Sequence, residues 1–274
     1  MKTWIKKIIE DTFVIHAYRF MRIKGILHKP VMPVREFIRI PAIYDRLSFL
    51  IQMRYYSRIR ALEGVVNFDP RGQEAHFQKL LDINVAKVKG TRVLANRKAE
   101  RHYAVAILPF RETKSEKLLS IGVRSAHELL LAWSFGFSWK NIQAVDLFST
   151  HPKIRVMNME ELAFADNSFD CVVIANAISD TWDVPSAIRE AVRVLRPGGR
   201  LVFNVMYEPD AAQDWPGASF SGSDARALLE ELDMRIYYWT TRNYRNRAGH
   251  NEADHLIGTM KPENGNSLFD EMRL

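Results

Sequence analysis

From residue 117 onward, short apolar runs alternate with amphipathic stretches, the grammar of successive β-α-β units wound into a parallel sheet. KLLSIG reads as a buried strand, and SAHELLLAWSFG as a helix stopped by Gly136. IQAVDLF is a second strand ending in an acid, MEELAF a short turn of helix, DNSFD a polar turn and CVVIAN a third strand. VPSAIREAVRVLRP is punctuated as a helix, with Pro185 near its start and Pro197 beyond its end. Gly198 and Gly199 then turn the chain into RLVFNVMY, a fourth strand. EPDAAQDWPGASFSG is a long loop suited to covering a substrate. SDARALLEEL opens with a Ser and Asp cap and reads as a helix, MRIYYWTT as a strand, and HLIGTMKP as its antiparallel partner.

Upstream the pattern is different. Residues 1 to about 60 read as helices interrupted by Pro30, Pro33 and Pro41, and the turn-rich LEGVVNFDPRG at 62–72 reads as a junction. A helix over about 73–86 and a strand near 103–108 are predicted to follow. The organisation expected is a helical N-terminal extension, 1–72, and an α/β domain, 73–274.

Composition changes this picture little: 274 residues suit one substantial α/β domain with an extension, and 47% hydrophobic with 26% charged residues excludes disordered and collagen-like classes. Charge changes it more. Residues 1–60 hold 13 Lys and Arg against 4 Asp and Glu, so the whole basic excess of the +7 chain lies there. Trp4, Ile5, Ile8, Ile9, Phe13 and Phe20 recur at helical steps among Lys6, Lys7, Arg19 and Arg22, the pattern of a basic amphipathic helix. Packing on its own domain, a homodimer contact and a peripheral membrane contact through residues 1–25 all remain open for it. Nucleic acid is not expected, because no zinc-finger spacing or glycine-aromatic RNA-binding signature accompanies the charge.

A single cysteine, Cys171, excludes an internal disulfide framework and a cysteine zinc cluster, and suits a reducing compartment. No run approaches the ~18 apolar residues of a membrane span. The start lacks a secretory cleavage pattern, so a cytoplasmic protein, open to contact with the inner membrane face, is expected.

The run DNSFDCVVIAN…AIREAVRVLRPGGRLVF, 166–203, resembles the class I S-adenosylmethionine-dependent methyltransferases of the type 11 kind almost residue for residue, and weaker resemblance extends over about 117–262. It implies a doubly wound, Rossmann-like, mainly parallel α/β sheet with a final antiparallel strand, and S-adenosylmethionine as cofactor. The first hundred residues lie outside it.

A loop at the carboxyl end of the first strand, opening a helix, is where such a sheet holds nucleotide-like ligands. The family's G-x-G-x-G becomes Gly122, Arg124 and Ala126 here. The resemblance gives Arg124 the cofactor carboxylate, which a guanidinium can pair with through two parallel hydrogen bonds, in company with Glu128. Asp146, with Leu147 beside it, sits where an acid accepts the ribose hydroxyls; a helix cap or ion pair is the lesser alternative. Where the family places an acid at the adenine amino group, this chain has Asn158, whose amide oxygen can accept, and Met159, which can cover the adenine face; a surface turn is the alternative.

ANAISDTWD, 175–183, faces the transferred methyl, and carries Asn176, expected at the cofactor, with Ser179 and Asp180, where many relatives have a histidine and a glutamate-histidine pair. Asp180 is the candidate catalytic base, with capping of the next helix as the competing role. His127 and His151 read as surface histidines, and His250 and His255 fall on a predicted hairpin loop that gives no case for a metal. Trp182, Trp215, Phe220 and Tyr207 can either stack on a substrate or plug the core. The resemblance implies methyl transfer, read here as going to an oxygen, with nitrogen the lesser alternative, of a sugar, glycan or other small substrate; the basic segment, not the resemblance, suggests an anionic acceptor such as one in surface polysaccharide assembly, and a catalytically inactive, methyltransferase-like binding module is the alternative.

Overall fold

The computed structural model describes residues 34–60, 74–89, 99–107, 113–149, 151–207, 216–245 and 251–263. The expected helix at 1–25, the junction at 62–72, Trp215 and His250 lie outside the described residues. Helices α1 (Val34–Ile38), α2 (Pro41–Arg60), α3 (Glu74–Lys89) and α4 (Glu100–Ile107) precede the sheet. There follow β1 (Leu118–Ile121), α5 (Ala126–Ser134), β2 (Ile142–Asp146), β3 (Ile154–Val156), β4 (Phe169–Ile174) and α6 (Val184–Val194). The chain finishes with β5 (Leu195–Tyr207), α7 (Gly222–Glu231), β6 (Arg235–Arg245) and β7 (Asn251–Met260).

The seven strands run in the order β3-β2-β1-β4-β5-β7-β6. The first five are parallel, and β7 inserts antiparallel between β5 and β6. This is the doubly wound, Rossmann-like α/β sheet expected. Every residue of β1 and β4 is buried, because helices cover both faces of a parallel sheet and its central strands meet no solvent. One face packs under α6 and α7 through Ile188, Ala191 and Leu229. The other packs under α4 and α5, and Tyr44 of α2 enters that same core fully buried, so part of the expected extension belongs structurally to the α/β layer.

Three local expectations are corrected. HYAVAI is the helix α4, not a strand: His102, Tyr103, Val105 and Ala106 are its buried residues, a helical spacing that a short apolar run conceals. MEELAF forms turns, not helix, while the three residues of β3 just before it, too short to show a period, add an edge strand parallel to β2. His127 is buried, because α2 packs over α5 and Tyr44 donates a 2.8 Å hydrogen bond to the His127 carbonyl. Arg200, on β5, is 1% exposed and is held by a bidentate pair with Glu116 at 2.8 and 2.6 Å, the arrangement that makes a buried guanidinium tolerable.

Candidate active site

Strand order reverses beside β1: the chain leaves it toward β2 and β3, then returns to lay β4 on its other side. Loops leaving the carboxyl ends of β1 and β4 therefore diverge and open a crevice. Gly122 shapes it. Its φ is +76°, and a Cβ there would lie 2.3 Å from Ala177 Cβ, so the loop after β1 passes the loop after β4 with no side chain between them. The result is bare backbone at the crevice floor, with Gly122 N–H donating to Val145 O at 2.9 Å.

The cleft that opens there is lined by apolar side chains with a few convergent polar groups, the make-up of small-molecule sites. Gly122 and Arg124 line it after β1, Asp146 and Leu147 after β2, Met157, Asn158 and Met159 after β3, and Ala177, Asp180 and Thr181 after β4. The structure thus brings Gly122, Arg124, Asp146, Leu147, Asn158, Met159 and Asp180 together, while Glu128 and Asn176 stand outside the lining. Glu128 lies buried in the first turn of α5. Asn176, at φ +55°, turns toward β5: its N–H donates to Asn204 Oδ1 at 2.8 Å. Asn204 also donates to Asp254 at 2.9 Å, and Arg101 closes this polar network with a 2.6 Å ion pair to Asp254.

The electrostatics centre on Arg124. Burial pushes the Asp146 carboxyl up to about 7; Arg124 and the backbone N–H groups of Leu147 and Phe148 oppose the rise, and Asp180 adds to it. Burial likewise lifts Glu128 to about 8, against Arg124 and with Asp146. Burial holds His127 down at about 4, and Arg124 reinforces it. One guanidinium therefore opposes the rise of both carboxyls, which burial still carries well above the ordinary carboxylate range.

Asp180 ends a 3-10 turn, Ile178–Asp180, and does not cap α6; Asp183 does, its carboxylate accepting from Ser186 N–H at 3.0 Å. The Asp180 carbonyl accepts from His76 Nε2 at 3.1 Å. A residue that sequence reasoning passed over, Glu160, fixes this loop: Oε1 accepts from the Thr181 hydroxyl, Trp182 N–H at 2.9 Å and Asp183 N–H at 3.2 Å. Glu160 N–H in turn donates to Asn158 Oδ1 at 3.1 Å, leaving that oxygen one lone pair for a ligand. Phe77, Leu80 and Asn84 of α3 also line the cleft. They arrive from outside the segment that carried any motif, so no local signal marked them.

Of the four aromatics considered, Trp182 is exposed and meets His76 edge-on at 5.4 Å, Tyr207 is half-buried and Phe220 packs against the core. His255 lies within β7 and not on a hairpin loop. Among the described residues no group of three or more His, Cys, Asp or Glu is arranged to hold a metal, and no helix is long and apolar enough to cross a membrane.

Residues 134–203 match the family model of the methyltransferase domain. A ubiquinone/menaquinone biosynthesis C-methyltransferase UbiE of Hahella chejuensis is 38% identical over 91 residues, 32% of this chain and 36% of that protein. The Klebsiella pneumoniae protein of the same name is 49% identical over 113 residues, 36% of this chain and 45% of that protein. The chain thus spans less than half the length of these curated relatives. Among solved structures, a Burkholderia thailandensis 1,6-didemethyltoxoflavin-N1-methyltransferase with bound S-adenosylhomocysteine shares the fold, with TM-score 0.52, 15% identity, and coverage of 73% of this chain and 94% of that one. Residues 134–203 are thus similar to the methyltransferase domain, and the strand order, with its crevice at the reversal point, is the fold of the S-adenosylhomocysteine-bound methyltransferase.

Proposed function

We propose that the chain is an S-adenosylmethionine-dependent methyltransferase acting on a small hydroxyl-bearing acceptor, sugars and glycans included. The observation that carries this is the cleft at the strand reversal, lined by Gly122, Arg124, Asp146, Asn158 and Asp180. The residues fit the cofactor: a bare-backbone floor where a Cβ would clash, a cation, a carboxylate and an amide oxygen with a lone pair to spare. Arg124 pairs with the amino-acid carboxylate, Asp146 accepts the ribose hydroxyls beside Leu147, and Asn158 and Met159 hold the adenine. Glu128 and Asn176 stand outside the lining and act on the cofactor only through their neighbours, Glu128 through the charge of Arg124 and Asn176 through the loop after β4.

The cofactor, when bound, supplies a methyl group activated by the sulfonium for in-line displacement. Asp180, on the acceptor side, takes the proton from the acceptor hydroxyl as a general base. Glu160 holds the 181–183 segment and so keeps Asp180 in place. The named relatives are C-methyltransferases, which supports a second reading in which the deprotonated hydroxyl belongs to a ring or enol and methyl joins an adjacent carbon. Calorimetry with S-adenosylhomocysteine is the direct test. Micromolar binding is expected, and no binding at millimolar ligand would leave the inactive-module reading. A mass-labelled methyl group traced to oxygen or to carbon in a product separates the two acceptors.

A further inference from the structure

The cleft has a wall that the methyltransferase segment does not supply. Helix α3 lies well outside residues 134–203, yet Phe77, Leu80 and Asn84 of its inner face line the cleft opposite the strand ends. Those three positions span about two helical turns, roughly 10 Å, enough to run along a nucleoside. The first turn is docked: His76 donates to the Asp180 carbonyl and meets Trp182 edge-on, so α3 is anchored to the loop after β4. Phe77 and Leu80 are 4% and 3% exposed, an apolar surface turned inward. Asn84 is the polar side chain that α3 adds to the lining, and its Oδ1 is buried with no hydrogen-bond partner. Folded proteins seldom leave a buried amide oxygen unpaired, so this one calls for a partner that the fold itself does not supply.

We propose that α3 is the roof of the cofactor cleft and that Asn84 Oδ1 accepts a hydrogen bond from an N–H group of S-adenosylmethionine, either its ammonium or its adenine amine. This rests on the cofactor reading above. The roof makes cofactor recognition a joint property of the common sheet and of this chain's own N-terminal helices. An amide oxygen can only accept, so the cofactor must be the donor, and a leucine of similar volume at this position removes the acceptor while keeping the shape.

The test uses the full chain as wild type and Asn84→Leu, titrated calorimetrically with S-adenosylhomocysteine and with methylthioadenosine, which lacks the amino-acid part. Asn84→Leu is expected to weaken S-adenosylhomocysteine by about tenfold, the effect of one buried hydrogen bond to an amine. Melting of the ligand-free variant should be unchanged or raised, because the oxygen it removes has no partner in the fold. An equal loss for methylthioadenosine assigns the adenine amine; an undiminished methylthioadenosine affinity assigns the ammonium. Hydrogen exchange over 74–89 should slow in wild type on ligand addition. If Asn84→Leu does not fold, Asn84→Ala serves the same comparison. Wild type that fails to bind S-adenosylhomocysteine refutes the cofactor reading itself; wild type that binds while the variant binds equally well, with exchange over 74–89 unaltered, overturns the roof alone.

Discussion

Cofactor affinity should depend on pH through Asp146. In the ligand-free protein, burial pushes this carboxyl up to about 7 from an ordinary 3.8. A carboxylate accepts two ribose hydroxyls, whereas a protonated carboxyl loses one acceptor, so binding favours the ionised form. Apparent dissociation constants then scale with one plus the ratio of protonated to ionised Asp146, which for a pKa of about 7 gives about tenfold weaker binding at pH ~6 than at pH ~8. Stability moves the opposite way. A folded-state pKa raised above the unfolded value adds stability that is complete below about pH 4 and is lost as pH rises through about 7. Glu128, pushed up to about 8 by burial, adds to the same trend at slightly higher pH. Calorimetry with S-adenosylhomocysteine across this range, paired with thermal melts of the ligand-free protein, should therefore give opposite slopes. Asp146→Asn removes the titrating group and should flatten the affinity curve. A wild-type affinity independent of pH, or an Asp146→Asn curve as steep as wild type, would refute the reasoning.

Arg124→Ala should weaken S-adenosylhomocysteine by about tenfold or more, the loss of a charged bidentate pair, and methylthioadenosine by less; unchanged affinity in calorimetry would remove the carboxylate pairing. Glu160→Ala, which frees three donors at residues 181–183, should lower turnover more than it weakens cofactor, and equal effects on kcat and Kd would argue against a role in placing Asp180. Gly122→Ala should both lower the melting temperature and abolish cofactor binding, since the added Cβ meets Ala177 and the left-handed backbone costs about 1 kcal/mol besides. Arg200→Met strands the buried Glu116 carboxylate and should cost about 3–5 kcal/mol in chemical denaturation, with Glu116→Leu added on top restoring much of it.

The α/β alternation from 117 onward was legible because each element there is long enough to show its period and is bounded by proline, glycine or a capping acid. Strands such as CVVIAN and the helix VPSAIREAVRV could be placed from local residues alone. HYAVAI could not, because a histidine followed by five apolar residues satisfies both a strand and one helical face, and only packing on β4 and β5 selects the helix. The cleft residues Gly122, Arg124 and Asp146 were legible from their place at strand ends, whereas Glu160 is an unremarkable acid until three donors from residues 181–183 arrive around it.

By itself, the sequence determined the succession of strands and helices, the carboxyl edge at which the site forms, and the chemistry of the side chains deposited there. Those follow from local periodicity and from residue type, both of which act over a few neighbouring positions. Tertiary structure alone decided which side chains share the cleft. It lifted Asp146 and Glu128 toward neutrality by burying them, against the opposing charge of Arg124, and drew Asn176 toward Asn204 and away from the cleft lining. It also brought Asn84 across some sixty residues of chain from Asp146. Burial and electrostatic neighbourhood are properties of the packed whole, and no window of sequence contains them.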